Sequence, residues 1–133
     1  MVRIECGFMS DKIHPFETIQ EWGNLLEDEL LDVLDKPGAR TVLSSAAELL
    51  LDKPIVINQY SINDLPQLVK KLRQLIRNGS WELGKSIIKS SDLTKAGDLN
   101  KAIDVMNKFK ASCISPFYNS QADAYIGGLK NKF

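Results

Sequence analysis

In SINDLPQLVKKLRQLIRNG, residues 61–79, the apolar side chains Leu65, Leu68, Val69, Leu72, Leu75 and Ile76 recur at intervals of three and four. That spacing lays them along one side of a 3.6-residue helix, whereas a strand, with its period of two, would scatter them over both faces. The flanking residues supply the ends. Ser61 and Asp64 have capping-box-like spacing, Asp64 can itself be the N-cap with Pro66 in the first turn, and Asn78-Gly79 reads as the stop. Lys70, Arg73 and Arg77 share a face away from the apolar stripe. Ser80 then reads as the cap of a short helix, WELGKSIIK.

Similar signals recur along the chain. Pro15 suits the first turn of a helix over residues 17–35, which Pro37-Gly38 would end. TVLSSAAELLLD, residues 41–52, is apolar almost all round and predicts a buried helix, stopped by Pro54. The β-branched run IVINQY fits a brief strand or an extended linker. Asp98 caps LNKAIDVMNKFKAS, with Leu99, Ile103 and Met106 inward together with Phe109 or Cys113. Ser115-Pro116 opens a last helix carrying Phe117, Tyr125, Ile126 and Leu129, with a break expected at Gly127-Gly128. At the N-terminus VRIECGF alternates apolar and polar residues, which fits a short strand or a disordered start equally. With 133 residues, 44% of them hydrophobic, the expected fold is all-α: one compact domain over residues 1–133, a bundle of about six helices, with at most a minor β element near the N-terminus.

Charge is where the chain is unusual. Its net charge is zero, yet residues 1–66 hold 12 Asp/Glu against 5 Lys/Arg, and residues 67–133 hold 5 against 12, a net of −7 and +7. Halves this unequal suggest electrostatic partners, or halves that attract each other. The imbalance concentrates in ETIQEWGNLLEDELLDVLD, residues 17–35, which carries seven carboxylates and no Lys or Arg. Read as one helix, it buries Ile19, Trp22, Leu26, Leu30 and Val33. Glu17, Glu21, Asp28, Asp32 and Asp35 then fall within roughly 60° of one another on the opposite side. Leu25 and Leu31 project to either side of that acidic strip. Each like-charge pair at i,i+3 or i,i+4 costs about 0.2–0.5 kcal/mol, so the strip is either a tolerated solvated face or a surface with a use.

Motifs for chemistry are sparse. His14 precedes Pro15 with no Ser or Cys nucleophile in an activating motif, and its plainest reading is a loop residue. Glu27, Asp28 and Glu29 are sequential, so on a helix they radiate rather than converge on a metal. Neither a P-loop nor a dinucleotide fingerprint is present. The expectation is a protein that is not an enzyme, with no catalytic residues, metal or cofactor. Cys6 and Cys113 are too few for a disulfide framework and lack CxxC spacing, which points to a reducing cytoplasm. MVRIECGFMSDK has no apolar segment of a secretory signal, and no apolar run approaches the ~18 residues of a membrane span.

A small, helix-rich chain with an acidic face and no catalytic motif resembles the immunity proteins of bacterial toxin systems, including those of contact-dependent growth inhibition. Glu17 to Asp35 carry the likeness, about one-seventh of the chain. It is one of type, without aligned residues: the paired tyrosines of colicin-nuclease immunity proteins have no counterpart, since Tyr60, Tyr118 and Tyr125 stand alone. The resemblance implies tight, non-catalytic binding to a cognate basic toxin such as a nuclease. The helical wheel, not the resemblance, assigns binding to Glu17, Glu21, Leu25, Asp28, Leu31, Asp32 and Asp35. Two alternatives remain. One is a helical adaptor between proteins. The other is a nucleic-acid-binding domain, in which LVKKLRQLIRNGSWELGKSIIKSS forms a helix-turn-helix presenting Lys70, Arg73, Arg77, Lys85 and Lys89. Its second helix is poor in base-reading side chains, and Trp81 reads as a core or hinge anchor.

Overall fold

A computed structural model describes residues 14–132. Among these the chain forms six α-helices and no strand: α1 (Pro15–Trp22), α2 (Glu27–Leu34), α3 (Ala39–Leu50), α4 (Leu65–Lys95), α5 (Leu99–Ser112) and α6 (Pro116–Lys132). The fold is all-α, as the periodicity predicts; the strand considered for VRIECGF lies outside the described residues. The chain divides into two compact units, one of Met1–Glu48 and Pro54–Gln74, the other of Leu49–Lys53 and Leu75–Phe133.

In the first unit, α1 starts at His14, whose Nδ1 accepts a hydrogen bond from the Phe16 N–H at 3.2 Å, with Pro15 at the first helical position. Phe16, Ile19 and Trp22 are its buried face. The helix then stops. The chain turns through Gly23–Leu25, Leu26 is extended (φ −66°, ψ 156°), and α2 begins at Glu27. The single helix expected over 17–35 is therefore two helices of eight residues each. Gly23 and Asn24 are weak helix formers, and the restart shifts the apolar phase. Leu30 and Leu34 are buried in α2, Val33 is only half-buried, and Leu26, expected in the core, is 74% exposed. Pro37-Gly38 ends α2 as expected, with Gly38 at φ 90°, a conformation that side chains resist.

Helix α3 is not buried all round: Leu43, Ala46 and Ala47 face inward while Thr41 and Glu48 are exposed. Beyond it, IVINQY is neither a strand nor a plain linker. Ile57–Gln59 forms a 3-10 turn bracketed by Arg40, whose Nη1 donates to Ile57 O at its start at 2.8 Å and to Tyr60 O just past its end at 2.9 Å.

The predicted stripe of α4 is buried at Leu65, Leu68, Val69 and Leu72 in the first unit. The helix does not end at Asn78-Gly79, however. It runs unbroken for 31 residues, so the turn expected between two helices is absent. The second unit explains this glycine. A Cβ at Gly79 would overlap the Tyr118 ring, which is 4% exposed. The same tyrosine donates its hydroxyl to the Ile76 carbonyl at 3.0 Å and meets Ser80 Oγ at 3.0 Å. Burial pushes the Tyr118 phenol above its ordinary range, while the Ser80 hydrogen bond pulls the other way. Gly79 thus serves close approach inside a helix, not termination. The helix ends at Gly97 (φ 85°), where the Asp98 N–H reaches Leu93 O at 2.9 Å.

Asp98 caps α5 as predicted, its Oδ1 accepting from the Lys101 N–H at 3.2 Å. Ala102, Met106 and Phe109 form its buried side, with Leu99 and Ile103 half-buried at the margin. Ser90, fully buried, ties α4 to α5 by donating to Ala102 O at 2.9 Å. Helix α6 packs on α5, with Lys110 paired to Asp123, and continues through Gly127-Gly128 where a break was expected. Tyr118, Ala122, Ile126 and Leu129 bury its inner face and hold it past the glycines.

Two glycines of α4 are expected to respond with opposite sign to one substitution. Gly79→Ala should destabilise by about 1–3 kcal/mol through overlap with Tyr118. Nothing lies within 4 Å of a Cβ at Gly84, so Gly84→Ala should stabilise by up to about 1 kcal/mol. Urea midpoints of the two variants check this.

Candidate functional site: the acidic surface of the first unit

The seven carboxylates of residues 17–35 are all exposed, but on two helices and the residue after them. Glu17 and Glu21 share a face of α1; Asp28 and Asp32 share a face of α2, and Asp35 is its C-cap. The angles that a continuous wheel assigned to the strip do not apply, because they run across the Gly23–Leu26 break. Leu25 and Leu31 are half-buried. Leu25 lines a cleft of about 120 Å³ with Trp22, Glu27, Pro66, Val69 and Lys70. The apolar side chain that stands in solvent is Leu26, beside Glu27, Asp28 and Glu29. The wheel missed it, and the signal was present: Gly23-Asn24 followed by an acidic triplet, as at a helix restart.

The break also gives part of the charge a local purpose. Glu17 lies in the first turn of α1, and Glu27, Asp28 and Glu29 in the first turn of α2. Carboxylates there meet the positive end of the helix dipole, a gain of about 0.3–1 kcal/mol each. Glu29 adds a hydrogen bond, its Oε1 accepting from the Leu26 N–H at 3.0 Å. Glu21, Asp32 and Asp35 have the opposite placement, in the last turn of α1 and at the C-terminal end of α2, where negative charge is disfavoured. None of the seven forms an ion pair with another described residue.

Arg73 holds the break open. Its Nη1 donates to Gly23 O at 3.0 Å, its Nη2 to Asn24 Oδ1 at 2.8 Å and its Nε to Gln20 Oε1 at 3.3 Å. The Gly23 carbonyl would accept from Glu27 in a continuing helix, so this guanidinium replaces the helix's own next donor. A side chain at position 23 would overlap Arg73, which is why glycine stands there. Sequence reasoning offered Arg73 with Lys70, Arg77, Lys85 and Lys89 as a phosphate-binding set. The structure commits Arg73 to α1, and with α4 continuous no turn presents Lys85 and Lys89 as a second helix. Lys85 pairs with Glu82 at 3.1 Å and lies 5.7 Å from the centre of the Trp81 ring. Trp81 is 66% exposed, neither core nor hinge.

The second unit holds a mostly apolar cavity of about 170 Å³, with Leu50, Leu75, Phe109 and Tyr118 in its wall and Cys113, Ser112 and Glu82 among its polar members. Ser112 Oγ donates to Phe109 O and Glu82 is taken by Lys85, so neither is set to activate the thiol. Among the described residues no three His, Cys, Asp or Glu side chains converge as metal ligands would, and no helix is long and apolar enough to cross a membrane. No family profile, curated protein or solved structure matches the chain.

Arg73→Met should destabilise the protein by about 1.5–3 kcal/mol, because it strips charged hydrogen bonds from the α1 terminus. Arg77→Met, at an exposed position, should stay within about 0.5 kcal/mol of the parent. Thermal or denaturant unfolding of the pair separates a structural arginine from a surface one.

Proposed function

We propose that this chain is a non-catalytic binding protein whose acidic surface docks on a strongly basic protein and obstructs it, in the manner of toxin-immunity proteins, with a nuclease-like toxin as the partner. The observation that carries this reading is the placement of Glu21, Asp32 and Asp35. Each is exposed, each sits where its own helix disfavours it, and none has a cation among the described residues. The first-turn acids have a folding rationale; these three do not. A cationic partner would reverse the sign of their energy, and the field of all seven would speed its approach and fix its register. Leu26, apolar and exposed among carboxylates, gives such a contact a desolvated centre. A nuclease is the natural class of target, since a surface built to hold phosphates is built to hold carboxylates in their place.

The nucleic-acid reading retains one favourable observation, the exposed Trp81 ring beside Arg77 and Lys85, on a straight helix rather than a helix-turn-helix.

Affinity capture from the host lysate at low and high salt, with mass spectrometry of the retained material, tests the proposal. A single basic polypeptide held near equal stoichiometry is expected, and Glu21→Lys, Asp28→Lys and Asp32→Lys together should abolish its capture while leaving the unfolding midpoint close to the parent's. Retained capture by the triple variant would overturn the assignment of the surface. Retention of RNA or DNA alone, lost as salt rises, would move function to α4.

A further inference from the structure

The outer face of α4 in the second unit has no role in the reading above. Arg77, Trp81, Lys85, Ile88, Asp92 and Lys95 follow one another at spacings of four, four, three, four and three, so they form a single stripe, and all six are exposed. Trp81 is 66% and Ile88 65% exposed, two large apolar side chains one heptad apart on the same helix. Three cations and one carboxylate surround them. We propose that this stripe docks on the acidic surface of a second copy of the chain.

The argument is complementarity in two respects. In sign, the stripe is net positive, and the surface around Leu26 presents Glu27, Asp28 and Glu29 with no cation paired to them. In pattern, each surface has an exposed apolar centre inside a charged rim, Trp81 and Ile88 on one and Leu26 on the other, the layout in which an interface gains area from its centre and register from its edge. The occupant is a second copy because every chain carries both surfaces and they are opposite in sign: Arg77, Lys85 and Lys95 against Asp92 on the stripe, and Glu27, Asp28 and Glu29 around Leu26. Each contact pairs the stripe of one copy with the acidic surface of the other. Ile88 and Asp92 favour a protein occupant over nucleic acid, since neither an aliphatic side chain nor a carboxylate helps to hold phosphate. The inference does not rest on the toxin-binding proposal, although the two share the acidic surface, so a basic partner would bind by displacing the second copy.

Sedimentation velocity of the full chain at low and high salt, with two charge-reversed variants, tests it. The first variant, Arg77→Glu with Lys85→Glu, makes the stripe acidic; the second, Glu27→Lys with Asp28→Lys, makes the patch around Leu26 net positive, with two cations against Glu29. All four positions are exposed, and because Glu27→Lys and Asp28→Lys also give up a favourable place at the start of α2, circular dichroism and the unfolding midpoint of each variant are read alongside its sedimentation. The parent is expected to sediment as a dimer at low salt and to dissociate as salt rises. Each variant alone should be monomeric, and an equal mixture should recover the dimer, because both contacts are then restored between unlike chains. A parent that is monomeric at low salt, variants that dimerise alone, or a mixture that stays monomeric would each overturn the proposal. So would assembly that disappears on nuclease treatment, which would assign the stripe to nucleic acid. Lysate capture by a monomeric parent would sink this inference and spare the toxin-binding one; a dimer that captures nothing would do the reverse.

Discussion

The Arg73 guanidinium lies on the end of α1 and takes the Gly23 carbonyl that a continuing helix would have used for itself. Much of the first unit's surface follows from that substitution. With the carbonyl occupied, the chain turns at Gly23–Leu25 and restarts at Glu27. The restart turns Glu27, Asp28 and Glu29 from mutually repelling residues in mid-helix into first-turn acids that a helix favours. It also rotates Leu26 out of the core and into solvent while Leu30 and Leu34 take over the burial. One half-buried hydrogen-bond donor on α4 therefore decides which carboxylates are structural and which apolar side chain is presented.

Tyr118 has a comparable role in the second unit. Its ring lies against Gly79, its hydroxyl spans Ile76 and Ser80, and its backbone N–H is capped by Ser115. Ser115 in turn donates to the Leu49 carbonyl at 2.7 Å, which fixes the start of α6. The close approach is possible only because position 79 lacks a side chain. The same residue that local propensity would assign to a helix end is what lets the helix continue under a packed aromatic ring.

The sequence was most legible where tertiary contacts reinforce local preference. The apolar stripe of Leu65, Leu68, Val69 and Leu72, the caps at Asp98 and Ser115-Pro116, and the stop at Pro37-Gly38 all lie where periodicity and end chemistry put them. It was least legible at glycines. Gly79, Gly127 and Gly128 sit inside helices held by Tyr118, Ile126 and Leu129, and Gly23, read as an ordinary helical position, ends one. Glycine reports that backbone is free or crowded, and only the partner in space says which. For the candidate site, the charge was visible and its geometry was not, because a helical wheel drawn through a break assigns angles to residues that no longer share an axis. Leu26 and the commitment of Arg73 to Gly23 were hidden for the same reason.

Helices of eight residues have little stability of their own, since nucleation is costly and isolated helices below ~12–15 residues are marginal in water. Helices α1 and α2 are therefore helical because Ile19, Trp22, Leu30 and Leu34 are packed and because Arg73 and the Pro37-Gly38 turn hold their ends. The acidic surface is in this sense conformational. Cut out as a peptide, residues 15–35 would keep their charge and lose the arrangement that presents it, so anything that recognises this surface by shape recognises the folded unit and not the segment.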